Sequence, residues 1–149
     1  MPPATGSDAP LPSGRVLGLD LGEARIGVAV SDPERRMAVA VGTVRVGQPP
    51  GELKAIAALV VEHDATLVVM GLPLSMSGEH GTRAEHAVGF ADALRGFLDV
   101  PIEFQDERLS TIEAERALRA AGVKGREQRR VVDRAAAVVI LQAWLDANP

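Results

Sequence analysis

At 149 residues, with 46% hydrophobic and 24% charged side chains, the chain has the make-up of one soluble globular domain large enough for a real core. It contains no cysteine, which excludes disulfides and thiolate metal sites and fits a cytoplasmic protein. The net charge of −4 argues against a generally basic nucleic-acid binder, and no unbroken apolar run is longer than Ala135 to Leu141, which is far too short to cross a bilayer, so no membrane role is expected.

The first fourteen residues, rich in Pro, Gly and Ala, have neither a basic nor an apolar region of the signal-peptide kind and read as a disordered tail. Arg15–Asp20 predicts a strand, Leu21–Ala24 a tight turn around Gly22, and Arg25–Ser31 a second strand. A turn at Asp32-Pro33-Glu34 leads to a third strand over Met37–Val46, giving an antiparallel meander. Pro49-Pro50-Gly51 interrupts the pattern, and Glu52–His63 carries Leu53, Ile56, Ala57 and Val60 at helical spacing. Thr66–Met70 is a compact apolar strand, Gly71–Gly81 a loop, Thr82–Leu98 a helix and Ile102–Asp106 a fifth strand. Ser110 and Glu113 form a capping box for a helix ending near Ala121, before Gly122. A basic loop, Gly122–Arg130, is expected to be mobile, and Val131–Ala147 is the last helix.

Strands that alternate with helices are joined by crossovers and run parallel. If strands one, four and five are neighbours, their C-terminal ends share one sheet edge, where open α/β sheets place their sites. Asp20, Gly71 and Asp106-Glu107 would meet there.

Each carboxylate has a plain reading by itself. Asp20 is a turn aspartate bonding its own loop. Glu107 pairs with Arg108 or another base. Asp133, in the first turn of the last helix, is an N-cap or a partner of the helix dipole. Together they read differently. The i+4, i+7 and i+11 neighbours of Asp133 are Ala137, Ile140 and Trp144, so its helix face is apolar and would pack over the first strand. Three convergent carboxylates without His or Cys suit Mg²⁺ or Mn²⁺, and a pair of such ions serves phosphodiester hydrolysis.

Between Arg116 and Arg134, seven basic residues (Arg116, Arg119, Lys124, Arg126, Arg129, Arg130 and Arg134) face only Glu127 and Asp133, a local charge of +5. The segment is either a solvated helix end and loop or a phosphate-binding surface. Gly71 permits close approach beside the acidic edge, and Arg25 is a phosphate partner or an exposed strand residue. His63, His80 and His86 read as surface or loop residues. With only Phe90, Phe97, Phe104 and Trp144 as aromatics, no base-stacking platform is expected. No Cys–His or Ser–His–Asp set and no Walker-type loop is present.

Four segments carry a family resemblance. Gly18-Leu-Asp20-Leu-Gly22-Glu-Ala-Arg25-Ile-Gly27-Val-Ala29, then Gly71-Leu-Pro73 with Gly78 and Gly81, then Asp106-Glu107-Arg108-Leu109-Ser110-Thr111, and finally Gln128 to Gln142 resemble, in order, the motifs of the YqgF (RuvX-like) family. The likeness runs from about Arg15 to Leu145. It implies an RNase H-like α/β fold over residues 15–147, with a mixed five-stranded sheet flanked by helices. It further implies a metal-dependent nuclease with Asp20, Glu107 and Asp133 as its acidic triad. Arg25, Gly71, Arg108, Lys124, Arg126, Arg129, Arg130 and Arg134 would contact the substrate. Arg130 and Arg134 stand where many members carry Lys, which keeps the charge and changes contact geometry. The implied activity is 5′-end maturation of pre-16S rRNA in ribosome biogenesis, or resolution of Holliday junctions. The substrate would be structured RNA or branched DNA, and the protein a monomer or homodimer. Two other readings stand beside it: a non-catalytic nucleic-acid-binding protein, and an actin-like nucleotide-binding module, for which the chain is short.

Overall fold

The structure, a computed structural model, describes residues 14–47, 50–74, 81–107 and 125–149, with the backbone alone over 125–135. The expected N-terminal tail before residue 14 and the helix expected to open at Ser110 lie outside the described residues. The elements are β1 (Arg15–Leu21), β2 (Arg25–Ser31), β3 (Ala38–Arg45), α1 (Gly51–Glu62), β4 (Ala65–Leu72), α2 (Thr82–Arg95), β5 (Ile102–Asp106) and α3 (Gly125–Ala147).

The strands form one sheet in the order β3-β2-β1-β4-β5. The meander is antiparallel, with Asp20 opposite Gly27, and β1, β4 and β5 are parallel, with Leu19 opposite Met70 and Leu72 opposite Asp106. The expected mixed five-stranded sheet is therefore present, with strands one, four and five adjacent.

Side chains alternate across a strand, so each face of the sheet buries its own set. Leu17, Leu19, Val28, Val68 and Met70 face one way and pack with Leu53, Ile56 and Val60 of α1 and with Ala87, Ala91 and Leu94 of α2. Val16, Ala29, Leu67 and Val69 face the other way and meet Ala137, Ile140, Leu141 and Trp144 of α3. The spacing of three and four residues in each helix makes these faces.

Two glycines let α3 sit close. A Cβ on Gly18 would stand 2.7 Å from Leu141 Cβ, and one on Gly71 would stand 2.7 Å from Ile140 Cδ1. Farther along, Gln142 clamps the approach to β3: its Oε1 accepts from Ala38 N at 2.9 Å and its Nε2 donates to Arg36 O at 3.0 Å. Trp144 packs with Val16 and Leu67 near the starts of β1 and β4, while Ile140 reaches Gly71 near the end of β4. Thus α3 runs antiparallel to β1 and β4, and its N-terminal half is directed to their C-terminal edge.

Two expectations need correction. Gly71 lies within β4 and not in a loop, because ladder pairing of Gly71 with Gln105 and of Leu72 with Asp106 outweighs glycine's preference for turns. The last helix begins at Gly125, not Val131, so Gly125–Arg130 is helical and not a mobile basic loop. Arg, Glu and Gln are good helix formers, and no proline interrupts them. The change moves Asp133 from the first turn to the ninth residue of the helix, where an N-cap or dipole role is closed to it. Smaller shifts occur at the ends: β3 omits Met37 and Val46, and α2 stops at Arg95 with Gly96 as its cap.

Candidate active site

Asp20 is half-buried and lies one residue beyond the paired positions Leu19 and Met70, as does Gly71 on β4. Neighbouring strands lie about 4.8 Å apart, which makes Asp20 and Gly71 side-by-side positions. Alternation puts Asp20 on the same face as Val16 and Gly18, the face covered by α3. The Gly22 N–H donates to Arg25 O at 2.8 Å, and a Cβ on Gly22 would stand 2.6 Å from that oxygen, so the tight β1–β2 turn takes glycine. This turn brings Arg25 to the same edge and, by alternation, to the same face as Asp20.

Glu107 follows β5 directly, and its backbone N–H donates to Leu72 O at 3.3 Å. Its carboxylate is turned back over the end of β4, where Oε2 occupies the space that a Cβ on Gly71 would fill. The residue is only 8% exposed. Burial lifts its carboxyl above the ordinary carboxylate range, Arg83 pulls it back, and the neighbouring Asp106 raises it further. Asp20 and Glu107 therefore flank Gly71 on one edge. A carboxylate held in such dry surroundings gains strongly from a nearby cation.

Position 133 precedes the buried Ala137 by one turn and Ile140 by two in α3. The helical register puts it on the sheet-facing side, about 10 Å along the axis from Ile140 toward the edge of Asp20 and Gly71. The side chain of Asp133 lies outside the described residues, as do those of Arg126, Arg129, Arg130 and Arg134. Arg108 and Lys124 lie outside altogether. Among the described residues no three His, Asp or Glu side chains gather, so Asp106 does not complete a set with Asp20 and Glu107.

A cavity of about 600 Å³ opens beside Glu107, on the side of the sheet that carries α1 and α2. Leu21, Ile26, Leu53 and Phe90 supply apolar wall, Arg83 and His86 stand at α2, and Glu52 and Gly47 close another side. Arg83 and Glu52 escaped the sequence reading. A signal for Arg83 exists: a crossover helix after β4 begins at the C-terminal sheet edge, which puts the first turn of α2 near the acidic residues. Glu52 had no such signal, being one of many acids in a first helical turn. His86, expected to be a surface residue, is exposed and also lines this cavity.

Among the described residues no helix is long and apolar enough to cross a membrane. The family model described as "RuvX: Holliday junction resolvase" matches residues 14–147. The chain is 51% identical over 134 residues to a protein of Mycolicibacterium paratuberculosis named "Putative pre-16S rRNA nuclease", covering 89% of this chain and 80% of that one. A protein of the same name from Mycobacterium leprae is 50% identical over 134 residues, covering 89% and 73%. Among solved structures, T. thermophilus RuvC in complex with Holliday junction substrate matches with a TM-score of 0.56 and 21% identity, over 89% of this chain and 94% of that one. The fowlpox virus Holliday junction resolvase matches with a TM-score of 0.56 and 9% identity, over 89% and 99%. These two likenesses concern the fold, which is RNase H-like. The span of the family match and the identity to these relatives establish that the chain belongs to the RuvX family.

Proposed function

We propose that residues 15–147 form a metal-dependent endonuclease that hydrolyses phosphodiester bonds in structured RNA, with the 5′ end of pre-16S rRNA as substrate and the cytoplasm as its place of action. The observation that carries this reading is the seating of the buried Glu107 carboxylate in the space left by Gly71, on the sheet edge where Asp20 stands near the end of β1. The names of the relatives that are half identical to this chain support the choice of substrate.

Asp20, Glu107 and Asp133 would hold Mg²⁺ or Mn²⁺, since they offer hard oxygen donors and a desolvated charge to be matched. Such ions, when bound, supply an activated water and neutralise charge on the phosphodiester oxygens. The chain's own groups do the rest. Gly71 gives the Glu107 carboxylate room against β4. Ile140 and the apolar face of α3 keep that side of the site dry. Arg83, near enough to influence Glu107, offers a guanidinium to a phosphate drawn to this edge. Arg25, Arg108, Lys124, Arg126, Arg129, Arg130 and Arg134 would hold the flanking backbone by charge, independent of sequence.

The family description favours a second reading, Holliday junction resolution. That activity needs two sites facing one junction, hence a symmetric dimer; the RNA reading is satisfied by a monomer.

The test compares wild type with Asp20→Asn and Glu107→Gln on a precursor 16S rRNA fragment, a four-way DNA junction and a plain duplex. Each is incubated with Mg²⁺, Mn²⁺ or EDTA. Expected is metal-dependent cutting of the rRNA fragment that both variants lose. Cutting of the junction alone would install the second reading. No cutting by wild type beyond that of Asp20→Asn would leave a binding protein and sink the nuclease.

A further inference from the structure

The cavity beside Glu107 is not explained by phosphodiester hydrolysis. A carboxylate site needs an edge and a phosphate approach, yet here the edge opens into about 600 Å³ of mostly apolar space. That volume is within the roughly 300–1,000 Å³ typical of sites that enclose a small organic group. Its wall combines three chemistries. Leu21, Ile26, Leu53 and Phe90 give a hydrophobic lining with one aromatic ring. Arg83, exposed at the start of α2, gives a cation at the mouth. Glu52 gives a buried carboxylate in the wall.

Glu52 is unusual among the charged residues. It is 5% exposed, and its Oε2 accepts from Gly47 N at 3.0 Å, while its Oε1 is closed off from solvent and has no hydrogen-bond partner among the described residues. A buried carboxylate oxygen left without a donor is costly, and it rewards any N–H that reaches it. Rotation of the Glu52 side chain, of the kind common on binding, would turn this oxygen toward an occupant of the cavity that Glu52 lines.

An occupant must therefore be flat or compact, largely apolar on its faces, able to donate an N–H at its far edge, and attached to an anion at its near end. It must also belong beside Glu107, because Gly71 and Glu107 line the cavity as well as the acidic edge. Resting on the nuclease reading above, we propose that the cavity receives an unpaired nucleobase of the substrate strand, extruded next to the phosphate at Glu107. Glu52 Oε1 accepts from its Watson–Crick edge, and Arg83 meets its phosphate. Extrusion into a pocket is a general route to reading one base within a structured nucleic acid. It also gives this chain a specificity element despite its few aromatics. Phe90 then acts as cavity wall and not as an open stacking surface.

The test reads binding apart from cutting. The full chain is titrated, in EDTA, with the precursor 16S rRNA fragment across its precursor–mature boundary. Each nucleotide in turn is replaced by 2-aminopurine, which brightens when unstacked, or by purine, which lacks a Watson–Crick N–H. Wild type is compared with Glu52→Gln, which keeps an acceptor for Gly47 N, and with Ala93→Trp, which narrows the cavity from its exposed rim. Thermal melting checks that both variants fold.

Expected is brightening at one position, at which purine weakens wild-type binding at least tenfold, as loss of a charge-assisted hydrogen bond does. Glu52→Gln should lose that discrimination, and Ala93→Trp should lose the brightening. Equal tolerance of purine at every position by wild type would overturn the proposal, as would position dependence unchanged in both variants. Cleavage is scored separately. Cutting without base dependence removes the pocket and leaves the nuclease; base dependence without cutting does the reverse.

Discussion

The two faces of the sheet are built from the same kinds of residue yet solve different problems. On the α3 face, Gly18 and Gly71 remove side chains so that Leu141 and Ile140 can descend onto the strands, and the contact is tight. On the other face, α1 and α2 bury their own apolar residues but leave a cavity where they meet the C-terminal edge. One face seats the Glu107 carboxylate against Gly71; the other leaves room for something to enter. Glu107 stands at the boundary, with Oε2 against Gly71 and its side chain lining the cavity. A positioning face is close-packed and intolerant of volume change, whereas a receiving face carries deliberate space.

Truncation should expose the contrast most strongly. Leu141 is fully buried, so Leu141→Ala should cost about 2–5 kcal/mol in chemical denaturation. Phe90 is only half-buried beside existing space, and Phe90→Ala should cost clearly less although it removes more atoms. Equal costs would mean that the cavity side is as tightly filled as the α3 side.

Adding one methyl group should separate the two glycines of the close-packed face. Gly18→Ala and Gly71→Ala each put a Cβ 2.7 Å from an α3 side-chain atom, and each should cost about 1–3 kcal/mol. Only Gly71→Ala also meets the Glu107 carboxylate, so only it should remove metal-dependent cleavage at temperatures where both variants are folded. If Gly18→Ala lost activity equally, Gly71 would matter through helix docking alone.

Much of this could be read from the chain itself, and the omissions have physical causes. The meander, the three parallel strands and the shared edge follow from periodicity and crossover rules. Asp20, Gly71 and Glu107 were legible as edge residues because strand ends are marked by abrupt polar or glycine positions. The start of α3 was not legible, because Arg126 to Arg130 look like a basic loop by charge yet have good helix propensity. Gly71 was misplaced because its reason for being glycine is a neighbour 36 residues away, Glu107, and not a local turn. Glu52 was invisible for the same cause. What sets it apart is an Oε1 without a hydrogen-bond partner among the described residues, a property of packing that no local pattern encodes.

Glu107 offers a smaller and opposite effect. Burial raises its carboxyl, so the ionised form at neutral pH is less favourable in the folded chain than in the unfolded one. Whatever stability Glu107 lends is present below its unfolded value and is lost as pH rises through its raised folded value. Without metal at neutral pH, Glu107→Gln should therefore melt slightly higher than wild type. Added Mn²⁺ should raise the melting temperature of wild type and not that of the variant, because only wild type has the charge to be matched. A Glu107→Gln chain that melts lower without metal would show that the carboxylate is held by protein partners and is not waiting for a cation.

The smallest effect belongs to an aspartate that sharpens the comparison from outside the site. Asp32, like Asp20, stands at the end of a strand, and it is a turn aspartate in the full sense. Its Oδ1 accepts from Met37 N and Arg36 N at 2.8 Å, and its Oδ2 accepts from Glu34 N at 3.2 Å. The Met37 N–H does most to hold its carboxyl below the ordinary range; desolvation, the next influence in size, opposes it, and the N–H groups of Arg36, Asp32 and Glu34 add to the lowering. The sign is thus opposite to that of Glu107. Asp32 contributes stability above its unfolded value, and that contribution fades as pH falls through the lower folded value. Asp32→Asn should be slightly less stable than wild type at neutral pH, with the two melting curves converging below about pH 4. Cleavage at neutral pH should be untouched, whereas Asp20→Asn removes it. If Asp32→Asn also lost cleavage, the β2–β3 turn would belong to the site, and the division between a positioning face and the rest of the sheet would have to be redrawn.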